Sequence, residues 1–180
     1  METRLSNREL DDLRELIGRH LPTIWSPLFD LRGYVVSSRW LQLEYPNNHY
    51  VVFQSAHGNT IDGYFSWCRP TIERMARSPH LDRIMTEKIP ESDLWFRAGA
   101  FVGSGLSGTI EAIDVFEANA IDPDWGFDDE FWYDCGVLFR SVIGERLYVF
   151  GGPGNQTGIS LTFDDATIDD HLKGSRVRLC

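Results

Sequence analysis

The residues with the most unusual chemistry lie between Ile121 and Asp134. There Asp122, Asp124, Asp128, Asp129, Glu130 and Asp134 are interleaved with Trp125, Phe127, Phe131, Trp132 and Tyr133, and no lysine or arginine intervenes. Clustered carboxylates steer a basic partner and speed its association, while large aromatics supply the desolvated centre of an interface. On that ground Asp122, Asp124, Trp125, Asp128, Asp129, Glu130, Trp132 and Asp134 are the candidate partner-binding residues. A structural reading stands beside this one: Asp128 caps a short helix, the aromatics face the core, and the carboxylates solvate the outer side. Calcium or magnesium ligation by Asp122, Asp124, Asp128 and Glu130 is disfavoured, because their spacing does not follow a twelve-residue EF-hand loop with its central glycine and terminal glutamate.

A second acidic group, Asp164, Asp165, Asp169 and Asp170, follows the last clear strand signal. Residues 1–110 hold 13 acids and 12 bases, residues 111–170 hold 14 acids and 2 bases, and the last ten residues hold Lys173, Arg176 and Arg178. The net charge of −10 therefore arises in one contiguous third of the chain. Free nucleic acid is an unfavourable partner, since it requires a basic footprint. If the intervening hairpins bring the two acidic groups together, they form one electronegative face suited to a basic protein.

Other motifs carry less. Gly103, Gly105 and Gly108 match G-x-G-x-x-G, whose glycines let a backbone approach a pyrophosphate at a helix N-terminus. The neighbouring signals are hairpins and not a βαβ unit, so a plain glycine turn is favoured and no dinucleotide is expected. Gly105-Leu106-Ser107-Gly108-Thr109 lacks the last glycine of a nucleophile elbow. The run from Gly151 to Gly158 reads as a hairpin connection, because no G-K-[ST] follows to hold phosphates. The five histidines show no spacing that pairs two metal ligands. Cys68, in a strand-like segment, reads as a small buried residue. With Cys135 and Cys180 it forms no C-x-x-C pair, which predicts reduced thiols and a reducing compartment. No catalytic residue, cofactor or metal site is assigned, and a catalytic group assembled only by folding stays open.

The elements that must position these residues are legible in part. Ser6-Asn7-Arg8-Glu9 is a capping box flanked by Leu5 and Leu10, and Leu10, Leu13, Leu16 and Ile17 continue a helical face until Leu21-Pro22. From Tyr34 to Trp67 the apolar period falls to two. Strands are predicted through Trp40–Tyr45, Tyr50–Phe53 and Ile61–Trp67, with turns at Pro46–Asn48 and His57–Thr60. Pro70 reads as the first residue of a short helix to Arg77, and Leu81–Ile89 as a second. Strands are expected over Leu94–Val102, Val137–Ile143, Leu147–Phe150 and Ile159–Phe163, with Gly144-Glu145 as a hairpin turn, while Ile110–Ala118 fits helix and strand about equally and is read as strand. The expected architecture is one α+β domain over residues 1–180: an N-terminal helix and a mainly antiparallel sheet of six or more strands with short helices packed on it.

The opening residues lack the basic, apolar and small-residue succession of a secretion signal, and no apolar run approaches the roughly 20 residues of a membrane-spanning helix. A cytoplasmic protein that does not insert in a membrane is expected. In general character, carried by Trp125-Gly126-Phe127-Asp128-Asp129-Glu130-Phe131-Trp132, the chain resembles the immunity proteins of bacterial toxin and secretion-effector systems. The resemblance implies a cognate toxin as partner, a nuclease or another enzyme of anionic substrates, whose basic surface an acidic-aromatic face would occlude. Fifteen arginines against two lysines suit a GC-rich bacterial source. The alternative is a small hydrolase or transferase that uses carboxylates as general acid and base.

Overall fold

The computed structural model describes residues 3–21, 23–26, 30–32, 35–38, 40–45, 49–59, 66–75, 101–119, 132–151 and 158–179. Helix α1 (Asn7–Arg14) opens as its capping box dictates: the Ser6 hydroxyl accepts from Glu9 N–H, and the Glu9 carboxylate accepts from Ser6 N–H at 2.8 Å. It is shorter than the apolar spacing suggests. Gly18, at φ +80°, turns the chain and donates its N–H to Ile110 O at 2.9 Å, so Leu16 is buried while Ile17 is left 45% exposed.

Twelve strands follow among the described residues: β1 (Thr23–Ser26), β2 (Asp30–Arg32), β3 (Val35–Ser38), β4 (Trp40–Tyr45), β5 (His49–Asn59), β6 (Ser66–Met75), β7 (Phe101–Ser104), β8 (Ile110–Asn119), β9 (Trp132–Ser141), β10 (Arg146–Gly151), β11 (Ile159–Thr162) and β12 (Arg176–Leu179). A second helix, α2 (Asp165–His171), lies between β11 and β12. The strands pair antiparallel in two sheets, β6-β5-β4-β1-β7 and β12-β8-β9-β10-β11-β3-β2. This is the expected α+β class, with an N-terminal helix and mainly antiparallel sheet.

Period-two alternation sorts the side chains of the larger sheet into two layers. Val137, Phe139, Leu147 and Val149 share a core with Leu41, Leu43, Val51 and Phe53 of the smaller sheet, and the Phe53 and Phe139 rings meet edge to face at 6.0 Å. Leu138, Tyr148 and Phe150 point the other way, where Ile168 of α2 covers them. Gly136 is required in that outer layer, because a Cβ there would strike the buried Tyr148 ring.

Three sequence readings need correction. The helix expected from Pro70 to Arg77 is strand β6 instead, and β6 lies at the edge of its sheet. Ile72 N–H turns away from β5 to Glu9 Oε1 at 3.1 Å, so the nitrogen of Pro70, two residues earlier on the same side, faces the edge and no ladder bond is lost. The turn expected at His57–Thr60 is displaced too, because β5 continues through Asn59. Helix α2 and strand β12 were not anticipated. Asp164 caps α2 by accepting from Thr167 N–H at 2.8 Å, so carboxylates read only as charge are partly helix-start chemistry. The predicted helix over Leu81–Ile89 and the start of the strand predicted over Leu94–Val102 lie outside the described residues.

Glu9 joins α1 to the β6 edge. Its carboxylate accepts from the Ser6 N–H and hydroxyl, from Ile72 N–H and from the buried Arg69 guanidinium at 3.2 Å. Burial alone would raise its pKa, but these donors outweigh it and hold the group below its ordinary 4.5. The depressed value means that ionised Glu9 stabilises the fold above the ordinary carboxylate range and that this contribution is lost as pH falls through the folded value. Glu9→Ala is expected to cost about 3 kcal/mol in urea unfolding at pH 7, with Glu9→Gln milder. On acidification below about pH 4.5, the wild type should lose stability more steeply than Glu9→Gln.

Candidate partner-binding site

Of the candidate residues, Asp122, Asp124, Trp125, Asp128, Asp129 and Glu130 lie outside the described residues, and Trp132 and Asp134 stand at the start of β9. Between Phe116↔Gly136 and Glu117↔Asp134 the β8–β9 register slips by one, leaving Cys135 as a bulge. Strict alternation from Phe139 and Val137 would turn Asp134 outward; the extra residue turns it inward beside Glu117. Asp134 is fully buried and Glu117 nearly so.

Two buried carboxylates side by side repel each other and lose hydration, so they persist only with donors supplied. Asp134 Oδ2 accepts from Leu5 N–H at 2.6 Å and from Arg178 Nη1 at 2.7 Å, and Asp134 N–H donates to Thr3 O at 3.0 Å. Glu117 takes Arg176 Nε at 2.6 Å on one oxygen and Arg4 Nη2 at 3.0 Å on the other. The Arg176 guanidinium also lies over the Trp132 ring, 3.7 Å from its centroid. Among the described residues Asp134 Oδ1 has no hydrogen-bond partner. Burial pushes the Asp134 carboxyl above its ordinary pKa, with Glu117 adding to the rise, and the Leu5 N–H and the arginines only partly offset it.

The expectation that Asp134 presents its carboxylate to a partner therefore does not match its place: the bulge turns it into the interior, where the chain's own termini engage it. Trp132 is half-buried, with Arg176 across one face.

The second acidic group is divided in its duties. Asp164 serves as the α2 cap, and its bonds from the Thr167 hydroxyl and N–H hold it below the ordinary range. Asp165 and Asp169 brace Arg146 of β10, and Asp170 pairs with Lys173 at 2.8 Å. The side chains of Asp165, Asp169 and Asp170 remain 65–76% exposed. They stand on the outer side of the seven-stranded sheet, whereas Asp134 points to its inner side.

The glycine motif resolves without a ligand. After Gly103, Gly105 and Gly108 comes strand β8 and no helix, and the N–H groups of Ser107 and Gly108 converge on Glu145 Oε2 at 2.6 and 3.3 Å. An internal carboxylate takes the place that a phosphate oxygen would have, and these donors keep Glu145 below its ordinary pKa despite desolvation. Sequence reading recognised Glu145 only as a turn residue.

A polar cleft of about 320 Å³ lies where α1 meets β5 and β6, bordered by Arg8, Glu9, Gln54, Arg69, Thr71 and Glu73. Its buried carboxylate, Glu9, is already engaged by four donors. Cys135, a bulge residue, donates its thiol toward Phe116 O at 3.3 Å, and burial pushes that thiol up, away from nucleophile character. Cys68 is half-buried in β6, where its backbone carbonyl would block a Cβ at Gly151. Among the described residues no three His, Cys, Asp or Glu side chains gather as metal ligands, and no helix is long and apolar enough to cross a membrane.

Removing the Asp134 carboxylate would leave Arg178 and Leu5 N–H without their acceptor. Asp134→Ala is expected to cost about 3–5 kcal/mol, and Trp132→Ala about 1 kcal/mol through lost stacking. Urea denaturation of both variants checks the order, which a surface role for Asp134 would reverse.

Comparison of this chain with family models, with curated proteins and with solved structures finds no match.

Proposed function

We propose that this protein is a bacterial immunity protein of the cytoplasm, which neutralises a cognate toxin by covering a basic surface with acidic and aromatic side chains. The carrying observation is the α2 face, where Asp165, Asp169 and Asp170 keep most of their side-chain area in solvent on a helix anchored by Ile168 and braced by Arg146. Carboxylates fixed on a rigid support attract a cationic surface without further ordering cost and raise the association rate. The run from Asp122 to Glu130 adds five further carboxylates to the protein's negative charge. A toxin that handles an anionic substrate needs cationic residues at its active site, and carboxylates placed there exclude the substrate by occupying its charge.

The internal carboxylates argue the same way. Glu9, Glu117, Asp134 and Glu145 each accept from donors of the chain itself, which favours structural roles for these four over general acid or base work.

The test pairs rescue with kinetics. Production of the neighbouring gene's product alone is expected to arrest growth, and co-production of this chain to restore it. Neutralising Asp128, Asp129, Glu130, Asp165, Asp169 and Asp170 to their amides should abolish rescue, slow association at least tenfold at low salt and flatten its salt dependence, with circular dichroism unchanged. Full rescue by that folded variant would remove the electrostatic reading.

A further inference from the structure

Two of the candidate partner-binding residues, Trp132 and Asp134, are engaged in the structure by arginines of strand β12. β12 reads Arg176-Val177-Arg178-Leu179 and, among the described residues, pairs with β8 at the edge of the seven-stranded sheet. Residues two apart share a face of a strand, so both arginines reach the inner side, Arg176 to Glu117 and Trp132, Arg178 to Asp134. The two ends of this contact differ in burial. Glu117 and Asp134 are sequestered, whereas the Arg176 and Arg178 side chains are 50% and 25% exposed and Val177 is 50% exposed.

The strand also leaves its acceptors incompletely used. Arg178 meets Asp134 through one nitrogen on one oxygen, and the other oxygen, Oδ1, is buried with no donor among the described residues. An arginine offering two parallel N–H groups would satisfy both. A four-residue strand that among the described residues is paired on one side, and that follows a glycine turn at Gly174, φ +78°, is among the elements that open before the core does.

We propose that β12 is an exchangeable internal mimic of the partner: it holds the β8 edge and the Glu117–Asp134 pair until an extended Arg-x-Arg segment of the toxin displaces it and pairs with β8 in its place. The idea rests on the immunity reading and names both the recognised chemistry and the autoinhibitory contact that guards it. Exchange replaces one set of arginine–carboxylate bonds with an equivalent set, so a longer incoming strand needs only modest extra contact to win.

Two measurements on the full-length chain test this. In native-state hydrogen exchange, amides of residues 176–179 should exchange at least tenfold faster than those of residues 137–139; equal protection, with β12 opening only on global unfolding, would overturn the proposal. In the second, a labelled peptide with the sequence Gly174 to Cys180 is titrated into wild type and into the double variant Arg176→Gln/Arg178→Gln. The variant should bind it at least tenfold more tightly than wild type, and more tightly than a peptide with both arginines changed to glutamine. Equal binding of the two peptides by the folded variant overturns the proposal as well, and should the variant fail to fold, the exchange measurement decides. Neither arm contains the toxin, so this proposal and the rescue reading can fail separately.

Discussion

The fold is closed at one corner by two carboxylates that cannot be there without their cations. Glu117 and Asp134 sit on neighbouring strands of the seven-stranded sheet, and the donors that make their burial tolerable come from opposite ends of the chain: Arg4 and Leu5 N–H on one side, Arg176 and Arg178 on the other. The electrostatic debt of the pair thereby fixes where both terminal segments run. It also places Leu5 at the head of the capping box that starts α1, and α1 in turn covers the β6 edge through Glu9.

Glu9 and Asp134 show which effect prevails when a carboxylate is buried. Both lose hydration, but Glu9 collects four donors distributed over its two oxygens and stays easier to ionise than usual. Asp134 gathers two donors on one oxygen, leaves the other empty and faces a second carboxylate, so desolvation prevails. Glu145 repeats the Glu9 solution at a smaller scale, tying two N–H groups of the glycine loop to the β9–β10 connection. Three carboxylates thus each hold two elements together at points where backbone N–H groups lack a ladder partner.

Local signals in the sequence carried the elements that depend on local chemistry. The Ser6 capping box and the Gly144 hairpin are matters of neighbouring residues, and the structure has a helix and a turn there; Ile110–Ala118, which fits helix and strand about equally by its local pattern, is made a strand by its pairing with β9. Pro70 was misread because its meaning depends on where the strand lies: at a sheet edge with its nitrogen outward it costs nothing, and edge position is a long-range fact. Asp134 was misplaced for a similar reason. Its outward or inward direction is decided by one extra residue at Cys135, and no composition or charge count registers a bulge. The termini were hidden most completely, since Arg4 acquires its role only by meeting Glu117, and Arg176 and Arg178 theirs only by meeting acids 59 and 44 positions away.

The charge asymmetry therefore has two components that a count cannot separate. Glu117 and Asp134 are internal ligands, and their negative charge is answered by arginines where they stand. Asp114 is answered too, by Arg140 at 2.8 Å. On α2 the balance differs: Arg146 and Lys173 face Asp164, Asp165, Asp169 and Asp170, and three of those four carboxylates remain largely in water. A field that reaches beyond a Debye length must come from charges of this second kind, because paired interior charges cancel within a few ångströms. Among the described residues, the carboxylates capable of steering a cationic partner are accordingly fewer than the acidic third of the sequence suggests, and those of α2 lie on the outer side of the larger sheet, opposite the face to which Asp134 turns.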